Sequence, residues 1–149
     1  MTSSTPLLSI ASFALCFFCC EASVVGQKDG EPVAIGTWRV VESKVLGETR
    51  KLMISTPPGH AQGEQRYPVL YLLDARKNFT HTVGLVRFQQ RLGNMPPLII
   101  VGVVNTNRGR DMTPATGDQE SVVQENGGVE DFLRFLREEV FALIERDYR

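Results

Sequence analysis

The chain has 149 residues, with 16 Lys plus Arg against 17 Asp plus Glu and a formal net charge of −1. Hydrophobic residues make up 42% and charged residues 22%, the balance of a single globular domain. Both signs are interspersed, which excludes an electrostatic surface for nucleic acid and any charged tail.

Residues 6–20, PLLSIASFALCFFCC, carry no charge. A membrane-spanning helix needs roughly 20 apolar residues, so this run is short for one and suits the core of a secretory signal peptide. The small residues Ala22 and Ser23 follow at a plausible cleavage point, and a signal peptide is expected over 1–23. No Lys or Arg precedes the run, which keeps an uncleaved membrane anchor as the alternative. The expected location is exported, periplasmic or extracellular, with membrane contact only through this segment. Cys16, Cys19 and Cys20 all fall in it. Cys16 and Cys19 match C-x-x-C in form, but thiolate chemistry needs a polar, electropositive setting that this stretch lacks.

Residues 24–37 read as a lead-in to a domain over 38–149. Alternating apolar positions predict strands over 38–45 and 49–55, joined at Gly47-Glu48 as a β-hairpin. Thr56-Pro57-Pro58-Gly59 ends the second strand, because proline removes ladder donors and glycine turns the chain. The run VLYLL over 69–73 is short, continuous and apolar, as in a strand covered on both faces. Residues 78–92 predict a helix with Asn78 as N-cap. Its face carries Phe79, Val83, Val86 and Gln90, and Gly93 with Pro96-Pro97 stops it. A second buried strand follows over 98–104. The polar segment NTNRGRDMTP comes next, and then a helix over 129–147 with the stripe Val129, Phe132, Leu133, Leu136, Val140, Phe141 and Ile144. Asn126-Gly127-Gly128 leads into that helix, and Glu130 and Asp131 favour its positive end. Strands alternating with helices imply an α/β class with parallel pairing through crossovers.

Three stretches in this order, YPVLYLLDARKNFTHTVGLVRF, MPPLIIVGVVNTNRGRDMTP and GGVEDFLRFLREEVFALIERDYR, resemble the serine esterase family of the α/β-hydrolase fold, the group of enterochelin and feruloyl esterases. The resemblance runs over 40–149. It implies a partial α/β-hydrolase sheet, made of an N-terminal β-hairpin followed by parallel strands with crossover helices and ending before the nucleophile elbow. The family's elbow is G-x-S-x-G, and its triad follows in the order Ser, Asp or Glu, His. No G-x-S-x-G occurs in these residues. Ser43, Ser55 and Ser121 lack the flanking glycines, and His60 and His81 come too early for the last role. The expectation is therefore an N-terminal fragment of an exported carboxylic-ester hydrolase, without a catalytic nucleophile and inactive as given, with VLYLL left as an open sheet edge. The alternative is a non-catalytic exported binding or assembly module. In the family the substrate is a small-molecule or glycan-linked ester, and no cofactor is implied.

The resemblance also implies that half of an oxyanion hole lies just after the third strand, which puts Ala75 and Arg76 forward as backbone N–H donors. Asp74, Arg108 and Arg110 stand at the carboxyl ends of the two buried strands, where α/β folds bind ligands, and are candidate substrate-edge residues. The same segment has a structural reading, in which Asp111 pairs an arginine and Asn105 makes an Asx turn, so that the loop orders itself. His81 reads as a surface helical residue and His60 as a solvated loop residue. Two separated histidines give no metal-ligand spacing, so no metal site is expected. Asn78-Phe79-Thr80 matches a glycosylation sequon at a predicted helix start and is read as chance.

Overall fold

The computed structural model describes residues 29–115 and 127–148. The signal peptide expected over 1–23, its cysteines, residues 24–28 of the lead-in, Ser121 and Asn126 lie outside the described residues. The chain divides into two units, Met1–Pro32 and Val33–Arg149, and the sheet and helices belong to the second.

Four strands form one mixed sheet: β1 (Thr37–Ser43), β2 (Glu48–Ser55), β3 (Val69–Leu72) and β4 (Ile99–Val103). Their order is β1-β2-β4-β3. β1 pairs antiparallel with β2 from Thr37↔Ile54 to Ser43↔Glu48. β2 pairs antiparallel with β4, and β3 pairs parallel with β4. β1 ends at Ser43 rather than Val45, because residues 44–47 form the turn. Gly47 sits there at φ 64°, the left-handed region that glycine enters without a Cβ clash. The Ser43 hydroxyl accepts the Leu46 N–H at 3.0 Å. Glu139, far along the chain, accepts the N–H groups of Lys44 and Val45 at 2.8 and 3.1 Å.

Helix α1 spans Ala75–Arg91 and begins three residues before the expected start. Its N-cap is Asp74, in the left-handed region at φ 52° and ψ 37°, and not Asn78, which lies inside the helix. Asp74 O accepts from the amides of Lys77 and Asn78, so the helix closes on the residue that ends the β3 turn. The far end is a Schellman motif: Gly93 at φ 75°, its N–H on Gln90 O, and the Asn94 N–H on Gln89 O. Ala75, Phe79, Val83 and Val86 are its buried residues, whereas Gln90 is half-buried and donates to Pro96 O.

Every residue of β4 is buried, because the strand is covered on both faces. Ile99, Val101 and Val103 join Val41, Leu52 and Ile54 in a core against the C-terminal helices. Ile100 turns to the other face and meets Phe79, Val83 and Val86 of α1. Gly102 shares that second face, where a Cβ would stand 2.7 Å from Ala75 Cβ and 2.9 Å from the Phe79 ring. The absence of a side chain is what lets the first turn of α1 lie directly on β4.

The polar segment after β4 contains a short helix that the sequence pattern did not show, α2 (Arg108–Met112). The single helix expected over 129–147 is three joined pieces: α3 (Val129–Phe135), a π-helical segment (Leu136–Val140) and α4 (Phe141–Asp147). The buried positions are Phe132, Phe135, Val140 and Ile144, and Leu133 is exposed. The wide π turn inserts an extra residue between Phe135 and Val140. It rotates the second half so that both halves face the sheet, which a uniform 3.6-residue stripe does not anticipate. None of the described helices is long and apolar enough to cross a membrane.

Candidate functional site

The parallel strands β3 and β4 end on the same side of the sheet, and a cleft of about 560 Å³ opens there. Asp74, Arg76, Lys77, Asn78, Asn105, Thr106 and Arg108 line it. An adjoining cleft of about 390 Å³ shares Arg76, Asn105 and Thr106 with it. The structure thus brings Asp74, Arg76 and Arg108 together around one opening, whereas Ala75, the first residue of α1, is fully buried against Gly102 and does not line it. The amides of Ala75 and Arg76 belong to the first helical turn, where no intrahelical acceptor exists and the helix dipole is positive.

Asp74 is the one described non-glycine residue with positive φ. Such a conformation costs of order 1–3 kcal/mol and persists only where surrounding structure enforces it. Here β3, the first turn of α1 and Arg108 all hold it. Arg108 donates from Nε to both Asp74 carboxylate oxygens at 3.1 Å. The pair is largely solvent-exposed, so it shapes the cleft mouth and adds little to stability.

Arg110 does not line the cleft. Its guanidinium donates to Glu48 at 2.6 and 3.3 Å, to Asp111 at 3.1 and 3.2 Å and to Thr106 at 3.0 Å. Asp111, in turn, is 1% exposed and accepts two hydrogen bonds from Arg50, both 2.7 Å, and one from Asn105 Nδ2 at 3.0 Å. Arg50 is fully buried. Its Nε stands 2.7 Å from Glu48 Oε1, an ion contact off the hydrogen-bond direction, and its guanidinium lies 5.7 and 5.6 Å from the rings of Phe132 and Phe135. Burial pushes the Asp111 carboxyl up, but the hydrogen bonds from Arg50 and Asn105 and the arginine charges outweigh it and hold it below the ordinary range. Glu48 is also lowered: burial opposes ionisation, and the hydrogen bonds from Arg110 and Thr106 prevail.

The segment after β4 therefore orders itself, with Asp111 paired to arginines as expected, but Asn105 makes no Asx turn: its Nδ2 donates to Asp111, its Oδ1 has no partner, and Asn107 does the capping. Asn107 Oδ1 caps α2 by accepting the Arg110 N–H, and the Thr113 hydroxyl donates to Gly109 O. Arg50 was not singled out in the sequence. The available signal was its phase: it alternates inward with Leu52 and Ile54, where a charge requires a buried counter-ion. His81 is exposed, as expected for a surface helical residue. His60 is half-buried, with ring centroids 5.7 Å from Tyr67 and 6.3 Å from Tyr148, so it does not behave as a plain solvated loop residue. No cluster of metal-ligating side chains occurs among the described residues.

Comparison with known proteins converges on one group. Residues 43–149 match the family model described as "Putative esterase". The chain is 34% identical over 131 residues to the ferri-bacillibactin esterase BesA of Bacillus subtilis (strain 168), covering 74% of this chain and 44% of the relative. An IroE-like serine hydrolase from Shewanella oneidensis superposes with a TM-score of 0.66 at 38% identity, covering 76% of this chain and 39% of that one. The siderophore hydrolase EstB from Aspergillus nidulans shares the fold, with a TM-score of 0.65 at 17% identity over 83% of this chain and 46% of its own. The chain thus spans less than half the length of these relatives. With its sheet, its cleft and 107 consecutive residues (43 through 149) matching the family model, the chain belongs to the Putative esterase family.

Proposed function

We propose that this chain supplies the N-terminal part of an exported carboxylic-ester hydrolase, a partial α/β-hydrolase sheet whose cleft binds a siderophore-type ester. The observation that carries this reading is the position of Ala75. It opens α1 directly after β3, packed on Gly102 of β4 and flanked in sequence by the cleft-lining Asp74 and Arg76, in a chain whose family is esterase. The amides of Ala75 and Arg76 are the donors offered to the ester carbonyl oxygen. As a nucleophile adds, that oxygen gains negative charge, and preorganised N–H groups stabilise it by about 3 kcal/mol per donor.

Arg76, Lys77 and Arg108 outnumber Asp74 at the cleft, a balance that favours anionic oxygen-rich ligands. BesA is a ferri-bacillibactin esterase by name, which supports the same substrate class. Arg110 acts indirectly, by fixing the segment that carries Asn105, Thr106 and Arg108. On this reading the serine nucleophile, its acid and base, and the second oxyanion donor belong to a part of the hydrolase C-terminal to Arg149. The uncharged run over 6–20 supports export.

Two measurements test this. The 149-residue chain is expected to leave a nitrophenyl ester unhydrolysed. The polypeptide extended by the downstream coding sequence is expected to hydrolyse it, and to stop when the serine of its G-x-S-x-G is replaced by alanine. A downstream sequence with no such motif, or hydrolysis by the short chain, would overturn the assignment.

A further inference from the structure

The cleft wall contains a polar atom that no protein group satisfies. Asn105 Nδ2 donates to Asp111 Oδ2 at 3.0 Å, while Asn105 Oδ1 is buried and has no hydrogen-bond partner. The amide cannot be turned round without loss. An ionised carboxylate only accepts, so the nitrogen must face Asp111 and the oxygen must face the other way. Arg50 and Arg110 keep Asp111 ionised and immobile, as its lowered pKa reflects. A buried acceptor left alone is costly, and folded proteins leave few of them. Asn105 lines both adjoining clefts and stands one residue beyond the buried Val104 at the carboxyl end of β4.

We infer that Asn105 is a specificity-determining residue of this cleft: its Oδ1 accepts a hydrogen bond from an uncharged N–H or O–H donor of the ligand. The inference rests on the esterase reading for the reaction but concerns a different part of the ligand from the ester carbonyl. Asp111 is the positioning residue, since it dictates which end of the Asn105 amide is offered. Oδ1 is shielded in the free chain, so the donor reaches it as the ligand parts the exposed side chains of Arg76 and Arg108 beside it. A cleft that combines cations with a fixed neutral acceptor selects a ligand carrying an anionic group next to a donor. It rejects the analogue in which the donor is methylated, because the acceptor is then left unpaired inside the complex.

The test is calorimetric binding to the protein expressed from its complete coding sequence. The probes are 2,3-dihydroxy-N-benzoyl-glycine, its N-methyl amide analogue and its 2,3-dimethoxy analogue. Masking the donor that Asn105 reads is expected to weaken binding to the wild type by about tenfold. The arm that shows the loss tells amide N–H from phenol O–H. Asn105→Leu is expected to bind that masked probe and the parent with equal affinity. Should Asn105→Leu fail to fold, the wild-type series decides alone. Equal binding of all three probes by the wild type overturns the inference, and so does a discrimination that survives in Asn105→Leu. Failure of every probe to bind overturns it as well. Nitrophenyl ester hydrolysis by the same preparation reports separately on the esterase reading, which stands or falls by that assay.

Discussion

Arg50 on β2 and Asp111 on α2 are 61 residues apart in sequence, yet their side chains meet in two hydrogen bonds of 2.7 Å with almost no exposure to solvent. The pair fastens the segment after β4 to the centre of the sheet, and with it the cleft wall. Removing one partner of a buried ion pair costs about 3–5 kcal/mol, because the other charge is left uncompensated. Asp111→Ala is expected to destabilise the chain by that amount in urea denaturation. Arg50→Met combined with Asp111→Leu removes both charges and fills the space, and is expected to cost less than Asp111→Ala alone. Glu48 and Arg110 still satisfy each other in the double variant. Equal losses for the single and double variants would show that packing, not charge compensation, sets the energy at this position.

The same network makes stability depend on acid. Asp111 and Glu48 are both held below their ordinary values. A carboxylate with a depressed folded pKa contributes its stability fully above the unfolded value, about 4 for these groups, and loses it as pH falls through the folded value. The groups facing them are the arginines Arg50 and Arg110 and the neutral Asn105 and Thr106. The urea midpoint should therefore be level from pH 7 to about 5 and fall steeply below about 4. Asp111→Asn should start lower and fall less. An Asp111→Asn profile parallel to that of the wild type would place the acid sensitivity elsewhere.

The local elements were legible because their causes are local. LIIVGVV announces a buried strand by its unbroken apolar run, and Phe79, Val83 and Val86 announce the inner face of α1 by helical spacing, whereas VLYLL is a strand as expected but not a buried one: it lies at the sheet edge with Leu70 and Leu73 exposed. Ala75 and Arg76 were placed after β3 by family resemblance, and the structure puts them at the start of α1. The illegible features depend on distant partners. Asp74 in the left-handed region starts α1 before Asn78, although both residue types cap helices about equally well. Arg50 breaks the apolar phase of β2 for the sake of an aspartate on α2, four elements further along the chain. The π turn brings Val140 to the same face as Phe135, five residues earlier, where an unbroken α-helix would turn it aside.

Gly102 is the contact through which the core of the sheet supports the site. A Cβ there would stand 2.7 Å from Ala75 Cβ and 2.9 Å from the Phe79 ring, both closer than carbon atoms tolerate. Neither neighbour can yield freely, since Ala75 and Phe79 are buried on the inner face of α1. Gly102→Ala is expected to cost about 1–3 kcal/mol, the usual range for overpacking a filled core. Ala75→Gly in the same chain removes one of the two clashing methyl groups and should recover part of the loss. A Gly102→Ala chain as stable as the wild type would mean that α1 can slide along β4, and the backbone donors at its start would not be fixed.

Glu139 tests whether the π-helical segment is tied to the sheet by more than apolar contact. Its Oε1 accepts the amides of Lys44 and Val45 in the β1–β2 turn at 2.8 and 3.1 Å. Burial works against its ionisation, and the hydrogen bonds from Ser43, Val45 and Lys44 overcome that and lower its pKa. Hydrogen bonds to a charged acceptor contribute about 1.5–3 kcal/mol, so Glu139→Ala is expected to lose stability in that range. Glu139→Gln keeps a carbonyl acceptor and should lose less. The readout specific to the contact is amide hydrogen exchange: Lys44 and Val45 should exchange faster in Glu139→Ala, while the Arg50 amide in the middle of β2 changes only with global stability. If those two amides are no faster than the rest of the sheet, Glu139 does not hold the turn, and the register of the π-helical segment must be set by Phe135 and Val140 alone.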